Sequence, residues 1–81
     1  MLMTQDNNIQ RLTDLYLKVA NNSATNMEKE ELMRLLLENG SITEKQFNDF
    51  IMGRNAEKLL KMALFVAGII LLGRLLQKAI K

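Results

Sequence analysis

Glu28, Glu30 and Glu31 form the cluster of side chains in this sequence that comes closest to a chemical site. Glu28 and Glu31 would share a helical face, and such a carboxylate pair can bind a metal or exchange protons. The chain has no histidine and no cysteine, so the commonest general base and all thiolate ligands are missing. Acids also favour the first turn of a helix because of the helix dipole. We therefore predict a solvated helix start, with no metal or cofactor site, in a protein that is not an enzyme.

The other residues that could take part in chemistry are scattered. Three aspartates (Asp6, Asp14 and Asp49) stand alone and are interpreted as surface charge. The four glycines form neither a GxGxxG nor a GKS/T phosphate loop. No catalytic residue is therefore predicted anywhere in the chain.

Charge is divided unevenly along the sequence. Residues 1–55 carry six Lys and Arg against eight Asp and Glu, a net charge of −2, and residues 56–81 carry five against one, a net charge of +4. The basic residues bracket an apolar run instead of forming a patch, so no nucleic-acid partner is expected. A basic tail suits anionic lipid headgroups, at ~1 kcal/mol per residue near the surface. Charge thus separates an acidic head, 1–55, from a basic C-terminal segment, 56–81.

The C-terminal segment contains the run MALFVAGIILLG, Met62 to Gly73. Its twelve uncharged residues are short for a transmembrane helix, which needs about 20. Apolar residues on both flanks lengthen the candidate to Leu59–Ile80, or 22 residues, which is ~33 Å of helix. Lys61 and Arg74 would then lie near the two interfaces, with their charges reaching the headgroups.

A helical wheel of this segment places the charges of its two ends in different directions and leaves the middle apolar all round. A helix lying on a membrane would keep one polar stripe, so the segment is predicted to span a membrane or to be buried in protein. The predicted interface charges are Lys58, Lys61, Arg74, Lys78 and Lys81. The predicted membrane-spanning residues are Leu59, Leu60, Met62, Leu64, Phe65, Val66, Ile69, Ile70, Leu71, Leu72, Leu75 and Leu76.

If the C-terminal segment spans a membrane, we expect a tail-anchored, single-pass protein whose head stays on the side where it is made. Basic residues flank both ends of the segment and so do not orient it, and the aromatic belt usual at membrane interfaces is missing. Burial in a soluble helical bundle or in a homo-oligomer remains an alternative. Ala63 and Ala67, with Gly68 adjacent, have a spacing that lets helices approach closely in lipid, which would allow dimerisation.

The head is predicted to contain three helices. The first runs from about Thr4 to Ala20, with apolar residues at helical spacing, and the polar loop NNSATN follows it. Thr25 and Glu28 have capping-box spacing for the second helix, which runs to about Glu38. The third begins after Thr43. At Gly53 the sequence permits a kink, a new helix capped by Asn55, or one continuous rod.

The connection from Asn39 to Thr43 predicts an antiparallel helical hairpin between the second and third helices. Asn39-Gly40 stops one helix, Thr43 and Gln46 start the next, and Ile42 can pack on Phe47. With Leu36, the residues Gly40, Ile42, Thr43 and Phe47 resemble the pattern of the short C-terminal domain called SHOCT, over residues 30–47. The resemblance implies a helical hairpin with an oligomerisation or interaction role. Departures from the pattern are Gln46 and the residues Phe50, Ile51, Arg54 and Asn55.

The apolar faces of the head are broad for its size, so part of them is expected to meet protein partners. The predicted partner-binding residues are Phe47, Phe50, Ile51 and Leu36. An all-α head on a membrane-spanning helix predicts a structural or adaptor subunit of a membrane-associated assembly. A minor structural protein of a membrane-containing virus particle, or an accessory subunit of a membrane complex, would fit. The alternatives are a membrane-permeabilising protein of the holin or toxin kind and a soluble oligomerisation module.

Overall fold

The computed structural model describes the backbone of residues 2–80 and the side chains of residues 9–77. Residues 2–80 form four α-helices and no strand. The helices are α1 (Leu2–Ala20), α2 (Asn26–Glu38), α3 (Glu44–Ile51) and α4 (Ala56–Ile80). The predicted fold is confirmed: it is all-helical, and three helices precede a C-terminal helix that is long and apolar enough to cross a membrane.

Reciprocal side-chain caps start α2 and α3. The Thr25 hydroxyl accepts from the Glu28 amide at 3.1 Å, and the Glu28 carboxylate accepts from the Thr25 amide at 2.9 Å. Thr43 and Gln46 make the same two bonds, at 3.1 and 2.9 Å. Both predicted capping boxes are therefore confirmed, and each satisfies backbone donors that a helix start leaves free.

The ends of α1, α2 and α3 share one geometry, the Schellman turn. In each, a residue with left-handed backbone follows the helix: Asn22 (φ 60°), Gly40 (φ 77°) and Gly53 (φ 80°). Glycine and asparagine tolerate this conformation better than other residues. The closing bonds run from the Ser23 amide to the Lys18 carbonyl (2.8 Å), from Ser41 to Leu36 (2.9 Å) and from Arg54 to Asp49 (2.8 Å).

The break at Gly53 decides between the alternatives left open for α3 and α4. α3 stops at Ile51, and Asn55 is a second left-handed residue, with φ 52°. The Asn55 carbonyl accepts the first helical bond of α4, from the Leu59 amide at 2.9 Å. The continuous rod is therefore wrong, and α4 is a separate helix that changes direction after α3.

A single core joins α4 to the head. α4 contacts α1, α2 and α3, and its Ala63 and Ala67 are completely buried. The side chains of α3 are only partly buried, with Phe47 and Phe50 packed against the core. Residues 1–55 and 56–81 therefore do not pack as independent units. The buried core residues are Leu12, Leu15, Val19, Leu32, Met33, Leu36, Ile42, Ala63 and Ala67.

The C-terminal turns of α4 are exposed to solvent. The molecule measures 41 × 25 × 18 Å, and a 25-residue helix is about 37 Å long, so α4 defines the long axis. The α4 side chains that pack partly against the core lie between Leu59 and Leu71, whereas all the side chains from Leu72 to Gln77 are exposed. Within residues 9–77, the last turns of α4 are therefore left uncovered.

Replacement of Thr43 by alanine is expected to destabilise the fold by about 1 kcal/mol, the usual cost of losing an N-cap. α3 has only eight residues, so it depends strongly on its cap. Thr43→Ser keeps the hydroxyl and is the matched control. Urea unfolding followed by circular dichroism measures both variants, and equal midpoints for the two would contradict the capping role.

Gly68→Ala is expected to stabilise the fold by up to about 1 kcal/mol, because glycine is unfavourable inside a helix. A Cβ at this position would lie 3.5 Å from the nearest atoms of the Tyr16 ring, which is ordinary van der Waals contact. Gly68→Leu, whose side chain extends into the ring, is expected to lower the melting temperature. A thermal melt of both variants tests whether α1 and α4 touch here.

Candidate membrane-contact surface

α4 has two apolar faces on opposite sides. Ala63 and Ala67 form the inner face, which the head covers completely. The opposite side carries Phe65, Ile69, Leu72 and Leu76, which are 51–70% exposed. With about 100° per residue, these four side chains and the exposed Lys58 and Lys61 fall within an arc of roughly 80°. We call these six residues the outer face.

α4 places its large and small side chains differently from a soluble amphipathic helix. Such a helix turns its large apolar residues toward the core and polar residues toward water. α4 instead buries alanines and exposes phenylalanine, isoleucine and leucines. Exposed apolar patches of this kind usually mark a surface that another molecule or a membrane covers.

The predicted membrane-spanning residues divide into two sets. Five are exposed, and the other seven are half-buried against the core, so the packed head would shield those seven from lipid. The exposed set is Phe65, Ile69, Leu72, Leu75 and Leu76. The half-buried set is Leu59, Leu60, Met62, Leu64, Val66, Ile70 and Leu71.

The predicted interface charges that the structure describes are all open to solvent. Lys58 and Lys61 lie at the start of α4, and Arg74 lies near its C-terminal end. The side chains of Lys78 and Lys81 lie outside the described residues. Glu57 lines a cleft between α2, α3 and α4. From Lys58 to Gln77 the sequence of α4 contains no acid, so the charge along the outer face is purely positive.

The predicted partner-binding residues have different environments. Ile51 is 45% exposed, and with half-buried Phe50 it lines the same cleft, whose volume is about 350 Å³. Phe47 is half-buried, with the Arg34 guanidinium 5.7 Å from its ring centre. Leu36 is only 1% exposed and lies in the core, so its assignment as a surface contact is corrected. Its apolar character serves the packing of α2.

The small residues of α4 also need a correction. Ala63 and Ala67 have a spacing that allows close helix contact, which in lipid would allow contact with a second copy. Both are fully buried in the core of the same chain, and the Tyr16 ring of α1 packs beside the adjacent Gly68. They let the head approach α4 closely and are not available for dimerisation in this form.

The glutamates of α2 hold α1 in place. Arg11 donates from Nε and Nη2 to the two oxygens of Glu31, both at 2.7 Å, and Lys18 Nζ lies 2.7 Å from Glu28. The hydrogen bond from Arg11 lowers the pKa of Glu31, and those from Lys18 and then the Thr25 amide lower the pKa of Glu28. Within residues 9–77, no three potential ligands converge to hold a metal ion.

These two pKa shifts predict acid destabilisation. Because both carboxylates have a lower pKa folded than unfolded, their stabilisation is complete above the ordinary range near pH 4.3 and is lost as the pH falls below it. The Arg11 and Glu31 side chains are 40% and 38% exposed, so the effect is small. Thermal melts between about pH 6 and pH 3 measure it. Glu31→Gln should flatten the decline, whereas Glu38→Gln, at the end of α2, should not.

Comparisons of the chain with protein-family models, with curated proteins and with solved structures find no match. The resemblance to the SHOCT hairpin therefore stays a prediction based on residues 30–47.

Proposed function

We propose that this chain is a non-enzymatic, single-pass membrane protein that serves as a structural or adaptor subunit of a larger membrane-associated assembly. The main support is α4: the stretch Ala56–Gln77 has 22 residues of sufficient length and apolarity to cross a bilayer. Only 11% of the residues in its most apolar window are fully buried, whereas the core helix of a soluble protein is mostly buried. Lipid would cover the large side chains that the head leaves exposed.

Spanning requires the head to leave the inner face of α4. The covered stretch, Leu59 to Leu71, is about 20 Å long, while the hydrocarbon core is ~30 Å thick. A head that stayed packed would carry Arg11, Lys18 and Glu31 into the bilayer, at a high cost for each charge. We therefore propose two forms, one packed and one spanning with the head released.

Release of the head would also provide a surface for partners. It would uncover core side chains such as Leu15, Leu32 and Met33, which are 0% exposed in the packed form. A partner protein of the assembly would then cover them, because an exposed apolar surface of this size is unfavourable in water. A minor structural protein of a membrane-containing virus particle, or an accessory subunit of a membrane complex, would have this organisation.

Alkaline-carbonate extraction of membranes from expressing cells tests the proposal. A spanning α4 keeps the full-length chain in the membrane pellet, and complete release into the supernatant would refute it. A dye-leakage assay at modest expression separates the scaffold from a permeabilising protein of the holin or toxin kind. Prompt leakage would favour the permeabilising alternative.

A soluble oligomerisation module is the second candidate, and the spacing on the outer face favours it. Phe65, Ile69, Leu72 and Leu76 follow one another at intervals of four, three and four residues, which is the spacing of a coiled-coil seam. Carbonate-released protein whose mass in solution rises with concentration would support this candidate over membrane anchoring.

A further inference from the structure

We infer that the packed form docks flat on an anionic bilayer, with the outer face of α4 lying in the headgroup region. The inference rests on the proposed function in one respect, that a bilayer is the partner. It concerns the form in which the head still covers Ala63 and Ala67. The bilayer is thus bound before α4 inserts, by side chains that are already exposed.

The packed unit has the amphipathicity that α4 alone does not. The helical wheel excluded a surface-lying α4 because its apolar residues point in all directions. In the folded chain the head covers the inner face, and the exposed large apolar side chains of α4 other than Leu75 all lie on the outer face. The four-helix unit can therefore lie on a membrane surface, although α4 alone cannot. One apolar stripe enters the interface while α4 keeps its contacts with the head.

The composition of the outer face matches an anionic membrane surface. From Phe65 to Leu76 the stripe extends over about 16 Å of helix. Lys58 and Lys61 continue it at one end, within the same arc, whereas Arg74 lies on the opposite side of the helix. Long basic side chains beside an apolar stripe can keep their stems in the apolar layer and reach lipid phosphates. Phosphate-bearing anionic headgroups would supply negative charge to these residues, since Glu57 is the one acid of α4.

The same charges argue against a second copy as the occupant. Parallel pairing through the outer face would bring Lys58 and Lys61 against their own copies. Antiparallel pairing would bring them near Gln77, where α4 offers no carboxylate. Like charges at such positions oppose pairing, and coiled coils normally place opposite charges beside the seam. An anionic bilayer has no such conflict.

Flotation of the purified full-length chain with vesicles tests the docking. Vesicles of phosphatidylcholine alone are compared with vesicles that also contain phosphatidylglycerol. We expect the chain to float with the anionic vesicles, to float less at high salt, and to float weakly with the neutral ones. Lys58→Gln combined with Lys61→Gln is expected to weaken binding about 25-fold, at roughly fivefold per basic residue.

A second variant tests the apolar contribution to vesicle binding. Phe65→Gln with Ile69→Gln removes two large outer-face side chains without adding charge, and is expected to weaken binding about 100-fold. Met27→Gln with Met52→Gln is the matched control, because these exposed side chains (80% and 68%) lie outside α4 and should not matter. Circular dichroism confirms that each variant stays helical. Equal binding by the Phe65/Ile69 variant and the control would overturn the inference, as would a failure of the wild-type chain to float.

Failure of the docking and failure of the proposed function give different results. If flotation fails while carbonate extraction leaves the chain in cell membranes, docking is wrong and the spanning subunit stands. If flotation succeeds and carbonate releases the chain, docking stands and spanning is wrong. A dimer in solution that the Phe65/Ile69 variant abolishes, together with no flotation, would identify a second copy as the true occupant and overturn the docking.

Discussion

Lysine at both Val66 and Ile70 is expected to destabilise the helical unit strongly as well as remove it from membranes. From the sequence alone, this pair of changes would test only spanning, because both residues lie in the middle of the apolar run. In the folded chain both are half-buried and pack against the core beside Ala67. Loss of their apolar contacts and the partial burial of two charges should cost about 3 kcal/mol or more.

That cost is large for a chain of this size, whose total stability falls in the range of roughly 4–12 kcal/mol. Phe65→Lys with Ile69→Lys is the matched control: it places two lysines one residue earlier in each case, on the outer face, where the side chains are 70% and 54% exposed. Thermal melts by circular dichroism in the absence of lipid should show a large drop for the first pair and little change for the second. Equal drops would mean that the two faces of α4 are wrongly assigned.

Leu32→Ala is expected to lower the free energy of unfolding by about 3–4 kcal/mol, the cost typical of a buried leucine replaced where the cavity cannot close. Leu32 is 0% exposed and belongs to the core that α1, α2 and α4 share. Few other residues can compensate, because small domains have little core to redistribute.

The matched control for this prediction is Leu72→Ala, the same chemical change at a side chain that is 55% exposed on α4. Surface changes of this type usually stay within about 0.5 kcal/mol. Urea denaturation of both variants measures the difference. A comparable loss for Leu72→Ala would mean that the outer face is already covered in solution, for instance by a second copy.

Local chemistry made the head predictable. The hydroxyl of Thr43 and the amide of Gln46 need only three residues of chain to form a capping box, and Gly40 needs only its own backbone freedom to end α2. Such features depend only on residues that are neighbours in sequence, and they can therefore be predicted from the sequence. The break at Gly53 was harder, because one glycine is compatible with a kinked helix as well as with a turn. Asn55, which completes the break in a left-handed conformation, was a candidate cap in the sequence, but an asparagine can also lie within a helix.

The two faces of α4 could not be told apart from the sequence. Hydropathy orients a helix only when one side is polar, and here Ala63 and Phe65 are both apolar. What decides the orientation is size: alanine lets α1 and α2 come close, and phenylalanine does not. The spacing of Ala63 and Ala67 was the available signal, and it does mark a helix contact. Its partner lies in the same chain, which a pattern within one segment cannot reveal.

The contact between Tyr16 and Gly68 gives the chain a built-in optical probe. The sequence holds one tyrosine and no tryptophan, so ultraviolet emission excited near the tyrosine band comes from this one ring. The phenol oxygen of Tyr16 lies 3.5 Å from the Cβ position of Gly68, where α1 of the head contacts α4. Separation of α1 from α4 would move the ring from a peptide backbone into water. The emission spectrum of the unlabelled protein would therefore record, in real time, whether binding to a bilayer separates α1 from α4.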